Sequence, residues 1–528
     1  MGRHELAPVA PTGVATVSAH RVRPGKGAVW NASSLDWPPA HGAPPAPPLR
    51  ADTAAAALRA AVAERSRMLA VLRLRKQLNR MVLRREGAGS RKTRVPVMAF
   101  DRWQMRCKCV AASSGADPVV PQPAASAPAD PDLVADIVKA GCTAADAAAV
   151  AHELAGMSRR EADSIASAPL SAAAHVVVQR HKHSIDVIFA HRGGSGGGRS
   201  GGGGGGGGES KVLKLNPTHY DKLRAMYRRA SASSSSRSSS DDAGEEERFH
   251  CRLYAVLARY HGVQGHGFQA ALGEDAFAAL HAHFGVSLEC FASPLNCRYA
   301  AHCSAYADTD RPFGSLGSFF DFHPVRGSFE ANPPFEEVVM ARCVEHIEAL
   351  LRGASGAMSF VVVVPAWRDA EAWRALDASP FKRRVLVVAR DEHGFCDGAA
   401  HQRRDRYRDS PYDTALFFLQ NGEGAAQWPA SDGALDAVRR AMALALPTVA
   451  MRKRQKRDGR GTHDEMRGTY KGKKSKANSA VGVRARKKAE GAEALRVRKR
   501  VKEREKKKRG KRRKYLAAHP DAVPRAEP

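Results

Sequence analysis

Ser359-Phe360-Val361-Val362-Val363-Val364-Pro365 places five apolar residues in succession, four of them valine, between a serine and a proline. β-Branched side chains are stiff at χ1 and suit an extended backbone. A strand with apolar residues on both of its alternating faces must be covered on both, as in a parallel sheet flanked by helices. Val385–Ala389 (VLVVA) and Ala415–Gln420 (ALFFLQ) repeat the pattern, and Ser287–Ser293 (SLECFAS) is rich in strand formers and ends at Pro294. Glu336–Leu351 lies between two such strands, with Val339, Cys343, Ile347 and Leu350 at helical spacing. The alternation predicts a doubly wound α/β domain over 286–425 with parallel strands.

On the carboxyl side, Leu435–Leu446 predicts a closing helix within 426–447. On the amino side, 211–285 predicts a helical segment with a serine-rich insertion at 231–240. One of its helices opens at Asn216-Pro217-Thr218, another runs from Glu247 to His261, and Asp275–Phe284 is a third, closed by Gly285. Residues 191–210, almost pure glycine over Gly193–Gly208, read as a linker. The region 51–190 predicts a helical domain, with Leu58, Val62, Leu69, Leu72 and Leu78 as candidate buried positions of a first helix over Ala51–Arg85. Residues 1–50 are Pro/Ala-rich and predict disorder, as does the basic tail 448–528.

The 528 residues carry a formal charge of +30. Arg452–Lys514 alone holds 29 Lys/Arg against 7 Asp/Glu, a net of +22, which leaves about +8 for the rest. Charge gathered in a tail predicts an electrostatic partner, and nucleic acid fits because each neutralised phosphate releases counterions. Arg498–Arg500 and Lys506–Lys514 also suit nuclear import. The nine cysteines are too scattered for a secreted disulfide framework, and Cys107-Lys108-Cys109 lacks a second Cys/His pair at zinc spacing. No run of 18 apolar residues suggests a membrane span, and Met1–Ala10 lacks the apolar stretch of a secretory signal. The expected protein is an intracellular monomer.

Asn332-Pro333-Pro334-Phe335 stands between the strand-like Gly327–Glu330 and the helix beginning near Glu336. That puts it at the carboxyl end of a strand, where open α/β sheets bind ligands. The residue types suit methylation of an aromatic amine, whose lone pair is delocalised into the ring. The Asn332 side-chain oxygen and the Pro333 carbonyl can each accept one amino hydrogen, which pulls the nitrogen toward a pyramidal shape. Neither proline has an N–H to compete, and both have fixed φ. Phe335 offers a face for the purine, a contact worth roughly 1–3 kcal/mol. A sulfonium donor is already activated, so positioning supplies most of the help and no metal is needed. Against this stands an ordinary strand-ending turn, which Asn-Pro and Pro-Pro also suit.

Phe291-Ala292-Ser293-Pro294-Leu295-Asn296-Cys297, then Phe313-Gly314-Ser315 through Asp321-Phe322, then Gly327 through Phe335, together resemble the phosphorylated CTD-interacting factor family of cap-specific adenosine N6-methyltransferases. Pro365-Ala366-Trp367-Arg368, Phe381-Lys382-Arg383, Glu392-His393 and Phe418-Leu419-Gln420-Asn421 extend the resemblance over Leu213–Asn421. It implies a Rossmann-like methyltransferase core and a helical N-terminal companion domain that helps hold the cap. It also implies S-adenosyl-L-methionine as cofactor, and capped mRNA with 2′-O-methyladenosine beside the cap as substrate. Asn332, Pro333, Pro334 and Phe335 take the catalytic roles. Glu337, Trp367, Arg368 and Glu392 fall at substrate- or cofactor-contacting positions, although Glu337 also suits a helix N-terminus and Trp367 a core aromatic. No Gly-rich fingerprint follows the first strand, so the methionine moiety is expected near Ser293, Asn296 and the turn of Gly314, Ser315 and Gly317. Animal members carry a WW domain that reads phosphorylated RNA polymerase II tails; Trp30 and Trp37 stand too close together to frame one. Two other readings stay open: a non-catalytic, transcription-coupled RNA-binding scaffold, and an adenine N6-methyltransferase acting on DNA or other RNA, since the amine chemistry is the same.

Overall fold

A computed structural model of the chain describes residues 52–85, 98–110, 116–167, 174–191, 212–232, 242–263, 270–398 and 406–455. The expectations for 1–50, for the glycine-rich linker, for most of the serine-rich insertion and for the basic tail beyond 455 lie outside the described residues. The chain divides into two compact units, Met1–Arg452 and Lys453–Pro528. Of the second, only 453–455 are described, and they are helical.

In the first unit, α1 (Ala54–Arg85) packs against later helices through Ala57, Ala61, Met68, Val71, Leu74, Leu78 and Val82. Of the five positions expected to be buried, only Leu78 is fully covered; Leu58, Val62, Leu69 and Leu72 lie partly buried at the margin. The alanines win the central stripe because a small side chain lets a partner helix approach closely. There follow α2 (Ala99–Val110), α3 (Pro131–Lys139) and α4 (Ala144–Ala166). The Asp130 side chain caps α3 by accepting from Leu133 N at 2.8 Å, and Thr143 caps α4.

The region read as helical also contains strands. β1 (Ala174–Arg180), β2 (Ile185–His191) and β3 (Val212–Leu215) form an antiparallel sheet in that order. α5 (Pro217–Ala232), α6 (Asp242–Val263), the two-residue β4 (Ala270–Ala271) and α7 (Glu274–Phe284) come next. α6 packs on α1, and the two helices share one apolar core with β1–β3.

The remainder is built around a six-stranded sheet. Its strands are β5 (Glu289–Ala292), β6 (His302–Ser304), β7 (Gly327–Ala331), β8 (Met358–Pro365), β9 (Lys382–Val388) and, after the short β10 (Gly394–Asp397) and β11 (Tyr407–Asp409), β12 (Thr414–Gln420). The spatial order is β6-β5-β7-β8-β12-β9. β6, β5, β7 and β8 are parallel, whereas β12 runs antiparallel to both β8 and β9. An all-parallel sheet is therefore the wrong expectation for ALFFLQ. Continuous apolarity reports that both faces are covered, not which way the strand runs.

Both faces are covered. Val361, Val363, Leu386, Val388, Leu416 and Phe418 face α7 and, after the short α11 (Gly422–Gln427), α12 (Asp432–Ala443). Phe360, Val362, Val364, Ala415, Phe417 and Leu419 face α9 (Glu337–Gly353) and α10 (Glu371–Ala378). Each Val, Leu or Phe among them, once buried, contributes about 1.5–3 kcal/mol. From β5 the chain moves outward to β6 and then returns across β5 to β7, so the strand order reverses between β5 and β7. Ligands of open α/β sheets bind outside the carboxyl ends at such a point. None of the described helices is long and apolar enough to cross a membrane.

Candidate active site

Asn332 follows the last residue of β7 and is half-buried. Its Nδ2 donates to the carbonyl of Ala270 on β4 at 3.0 Å. Because that partner can only accept, the amide orientation is fixed, and Oδ1 points away from the Ala270 carbonyl with its acceptor capacity intact. Pro334 O receives Glu336 N at 2.7 Å, while among the described residues no donor occupies the Pro333 carbonyl. The two acceptors that amine chemistry requires are thus carried on one rigid turn.

Glu336 closes that turn by capping α9, its carboxylate accepting from Val339 N at 3.2 Å. Glu337 begins the helix, and its Oε1 accepts from Ala372 N at 3.1 Å, tying α9 to the start of α10. Phe335 packs against the α9/α10 core and meets Trp367 edge-to-face, with ring centroids 6.4 Å apart. Trp367 is no core aromatic. It follows β8, is 37% exposed, and meets Tyr412 edge-to-face at 5.1 Å. Arg368 is exposed, with its guanidinium 5.3 Å from the Trp373 ring centroid. Glu392 follows β9, with its carboxylate 3.7 Å from Arg439. β9 is three strand positions from β7, about 14 Å at ordinary strand spacing.

The expected cofactor residues fall on the other side of the switch point. After β5, Ser293 N donates to Asn296 Oδ1 at 2.7 Å, and Ser293 Oγ donates to the same atom at 2.9 Å. The carbonyls of this turn are held from beneath by buried cations. Lys222 Nζ donates to Pro294 O at 3.2 Å and Cys297 O at 2.8 Å, and Arg406 Nη2 donates to Leu295 O at 3.0 Å. Alongside β6, Ser315 and Ser304 join hydroxyls at 2.7 Å, and Ser304 N donates to Gly317 O at 2.8 Å. Gly314 has φ +92°, and a Cβ there would stand 2.1 Å from Ala300 O, so no other residue fits. Gly317 has φ +103°, and a Cβ would meet nothing nearer than Arg311 Nη2 at 4.0 Å. Its open side lets a ligand approach the backbone closely.

Sequence reasoning did not find the third wall. Arg106 on α2 is held by Asp130, at 3.0 and 2.6 Å, and its Nη1 lies 4.0 Å from Glu336 beyond β7. Lys108 places its ammonium 4.5 Å from the ring centroid of Tyr306, beyond β6. β5 lies between β6 and β7, so α2 crosses over its carboxyl end and overhangs the crevice. A signal was legible: Phe100, Trp103, Gln104 and Cys107 stand at i, i+3, i+4, i+7 and mark a helix. The Ala270 anchor had no local signal, being 62 residues from Asn332.

Beneath the crevice, Glu289 and Glu330 are direct partners across β5 and β7, both fully buried. Glu289 Oε2 receives Arg298 N at 2.5 Å and Tyr299 N at 3.1 Å, while Glu330 Oε1 has no hydrogen-bond partner among the described residues. Burial raises the Glu289 carboxyl to about 7, and burial together with the Glu289 charge raises Glu330. Groups raised in the folded state stabilise it fully below their unfolded value, and that contribution is lost as pH rises through the folded one. Glu330→Gln is therefore expected to flatten the fall in melting temperature between about pH 6 and pH 8. Unchanged pH dependence in thermal melts would contradict the pairing.

Switch-point crevice, acceptor-bearing proline turn and glycine-opened backbone together define a Rossmann-like α/β domain with a candidate ligand site at the carboxyl ends of its strands. Residues 222–398, from within α5 to the end of β10, match the family described as the Phosphorylated CTD interacting factor 1 WW domain, a match that does not reach Trp30 or Trp37. Over that stretch the chain is similar to the phosphorylated CTD-interacting factor family. It is 40% identical over 230 residues to the mRNA (2'-O-methyladenosine-N(6)-)-methyltransferase of Mus musculus, covering 42% of this chain and 31% of that protein. It is 39% identical to the Homo sapiens protein of the same name, with the same coverage. The chain thus spans about a third of the length of the curated relatives it matches.

Proposed function

We propose that the protein transfers a methyl group from S-adenosyl-L-methionine to the exocyclic amine of an adenosine, that this adenosine is the 2′-O-methylated one beside the cap of an mRNA, and that it does so in the nucleus. The observation that carries the reading is the Asn332 side chain, anchored through its nitrogen to Ala270 O so that its oxygen stays available at the carboxyl end of β7. The names of the two relatives supply the substrate class.

The fit of the cofactor rests on the open side of Gly317 and on the Ser293–Asn296 turn, whose carbonyls Lys222 and Arg406 draw inward. When bound there, the cofactor supplies a methyl group already activated on a sulfonium. The chain supplies the rest. Asn332 Oδ1 and Pro333 O accept the two amino hydrogens and orient the nitrogen lone pair. Phe335 gives the purine a ring to stack on. Arg106 and Lys108 fix α2 over the crevice, and the overhang limits water at the reacting nitrogen. The charge of the basic tail supports RNA affinity and nuclear import.

The test incubates the full chain with labelled methyl donor and RNAs beginning in 2′-O-methyladenosine, capped or uncapped. Label is expected in capped RNA. Label in neither would favour a non-catalytic RNA-binding scaffold, and equal label in both would remove the cap requirement and favour a wider adenine methyltransferase.

A further inference from the structure

Among the described residues, the large hydrophobic side chains that stand exposed are aliphatic with two exceptions, Trp367 at 37% and Tyr412 at 40%. These two touch. Their rings meet at 84° with centroids 5.1 Å apart, forming an open corner. The sheet explains the meeting: Trp367 follows the end of β8, Tyr412 precedes the start of β12, and Thr414 pairs with Pro365 across the two strands. Phe335, the plate proposed for the target purine, adjoins Trp367 with centroids 6.4 Å apart, and the strand order β7-β8-β12 sets Phe335, Trp367 and Tyr412 in succession. Three aromatic rings therefore run along the carboxyl edge of β7 and β8 to the amino end of β12. A cation adjoins the row. Arg390 N donates to Asp413 Oδ1 at 2.9 Å, which places the Arg390 backbone against the residue that follows Tyr412, and its exposed guanidinium has no hydrogen-bond or ion-pair partner among the described residues.

We propose that Trp367, Tyr412 and Arg390 form a second nucleotide subsite, which takes the base and phosphate of the nucleotide joined to the methylated adenosine. The proposal rests on the methyltransferase reading above. Its chemistry is that of single-stranded nucleic-acid binding, where bases stack on successive aromatic rings and a cation follows the backbone. An exposed tryptophan-tyrosine corner has no structural need to stay uncovered. Its position next to the target plate matches the next unit of a chain already held at Phe335. The neighbouring nucleotide can come from either side of the adenosine, the cap guanosine or the following residue of the transcript, and both present a base and a phosphate.

The experiment titrates the full-length protein with three probes: AMP, the capped dinucleotide m7GpppAm and the uncapped dinucleotide AmpU. Binding is followed by quenching of tryptophan fluorescence, which needs no methyl transfer. Tyr412→Ala is expected to weaken one of the two dinucleotides about 5- to 150-fold, the equivalent of one stacked base, while leaving AMP affinity unchanged. Loss confined to m7GpppAm assigns the subsite to the cap side, and loss confined to AmpU to the downstream side. Arg390→Ala is expected to weaken the same dinucleotide and to reduce its salt dependence. Tyr412→Phe, which keeps the ring, is expected to bind as wild type. Wild-type affinity for both dinucleotides in Tyr412→Ala, or an equal loss for AMP, would overturn the subsite. Failure of the methyltransferase reading shows separately, as stacking affinity in a wild-type protein that transfers no label.

Discussion

Asn332→Ala is expected to slow methyl transfer about 100- to 1,000-fold, the usual cost of deleting one group aimed at a reacting centre. The size of the effect follows from how the side chain is held. Its nitrogen is committed to Ala270 O at 3.0 Å, so the side chain is presented in one orientation before any substrate arrives. Alanine removes the oxygen acceptor and the anchor together. The structural cost is small by comparison: one hydrogen bond of a half-buried group, about 1 kcal/mol, a shift of a few degrees in melting temperature. Asn332→Asp separates the two functions. It keeps an oxygen for the amine but turns a second oxygen toward the Ala270 carbonyl, where acceptor faces acceptor. Aspartate is therefore expected to be nearly as inactive as alanine, because acceptor chemistry without the anchor leaves the oxygen misplaced. Single-turnover rates with saturating RNA measure this directly. A rate within about threefold of wild type in either variant would remove Asn332 from the chemistry.

The same residue shows what the sequence could reveal. Asn332-Pro333-Pro334-Phe335 was legible because rarity of composition and position after a strand coincided. Its anchor was not, since β4 is two residues long and reaches Asn332 only through tertiary packing. Similarly, SFVVVVP and ALFFLQ announced two buried strands through their composition. Their opposite directions depend on connections, which include β10 and β11, and those short strands have no periodicity to read. α9 was legible from Val339, Cys343 and Ile347, and its start shifted by one residue because Glu336 serves as the cap. Glu392 follows β9, whose place at the edge of the sheet beside β12 no local pattern announces. In each case composition specified burial and local shape, while the partners across the sheet came from topology.

A second large effect concerns the joint between the helices and the crevice. Arg259 on α6 has a fully buried side chain that binds two carboxylates. Its Nε and Nη2 donate to Glu64 on α1 at 2.6 and 2.7 Å, and Nη1 and Nη2 donate to Asp308 at 3.0 and 2.5 Å. Asp308 lies on α8 (Ala307–Asp310), just beyond β6, so this one guanidinium joins α1 and α6 to a bank of the site. Arg259→Ala leaves Glu64, itself 1% exposed, with Arg67 as its remaining cation, and is expected to destabilise the protein by about 3–5 kcal/mol. Lysine keeps the charge but cannot span both carboxylates in the planar, two-sided fashion, so Arg259→Lys is expected to recover only part of the loss. Replacing Arg259 and Glu64 together by leucine removes the uncompensated charge and is expected to recover more, because exchanging a buried ion pair for apolar groups is often neutral. Asp308 adds a pH signature. Burial works against its charge, yet the Arg259 hydrogen bonds and charge hold its carboxyl below the ordinary value. Its contribution is therefore fully present above the ordinary aspartate value and is lost as pH falls through the depressed one. Urea melts of the four proteins measure the set. Equal stability of Arg259→Ala and wild type would show that the helices are fixed to the crevice by apolar packing alone.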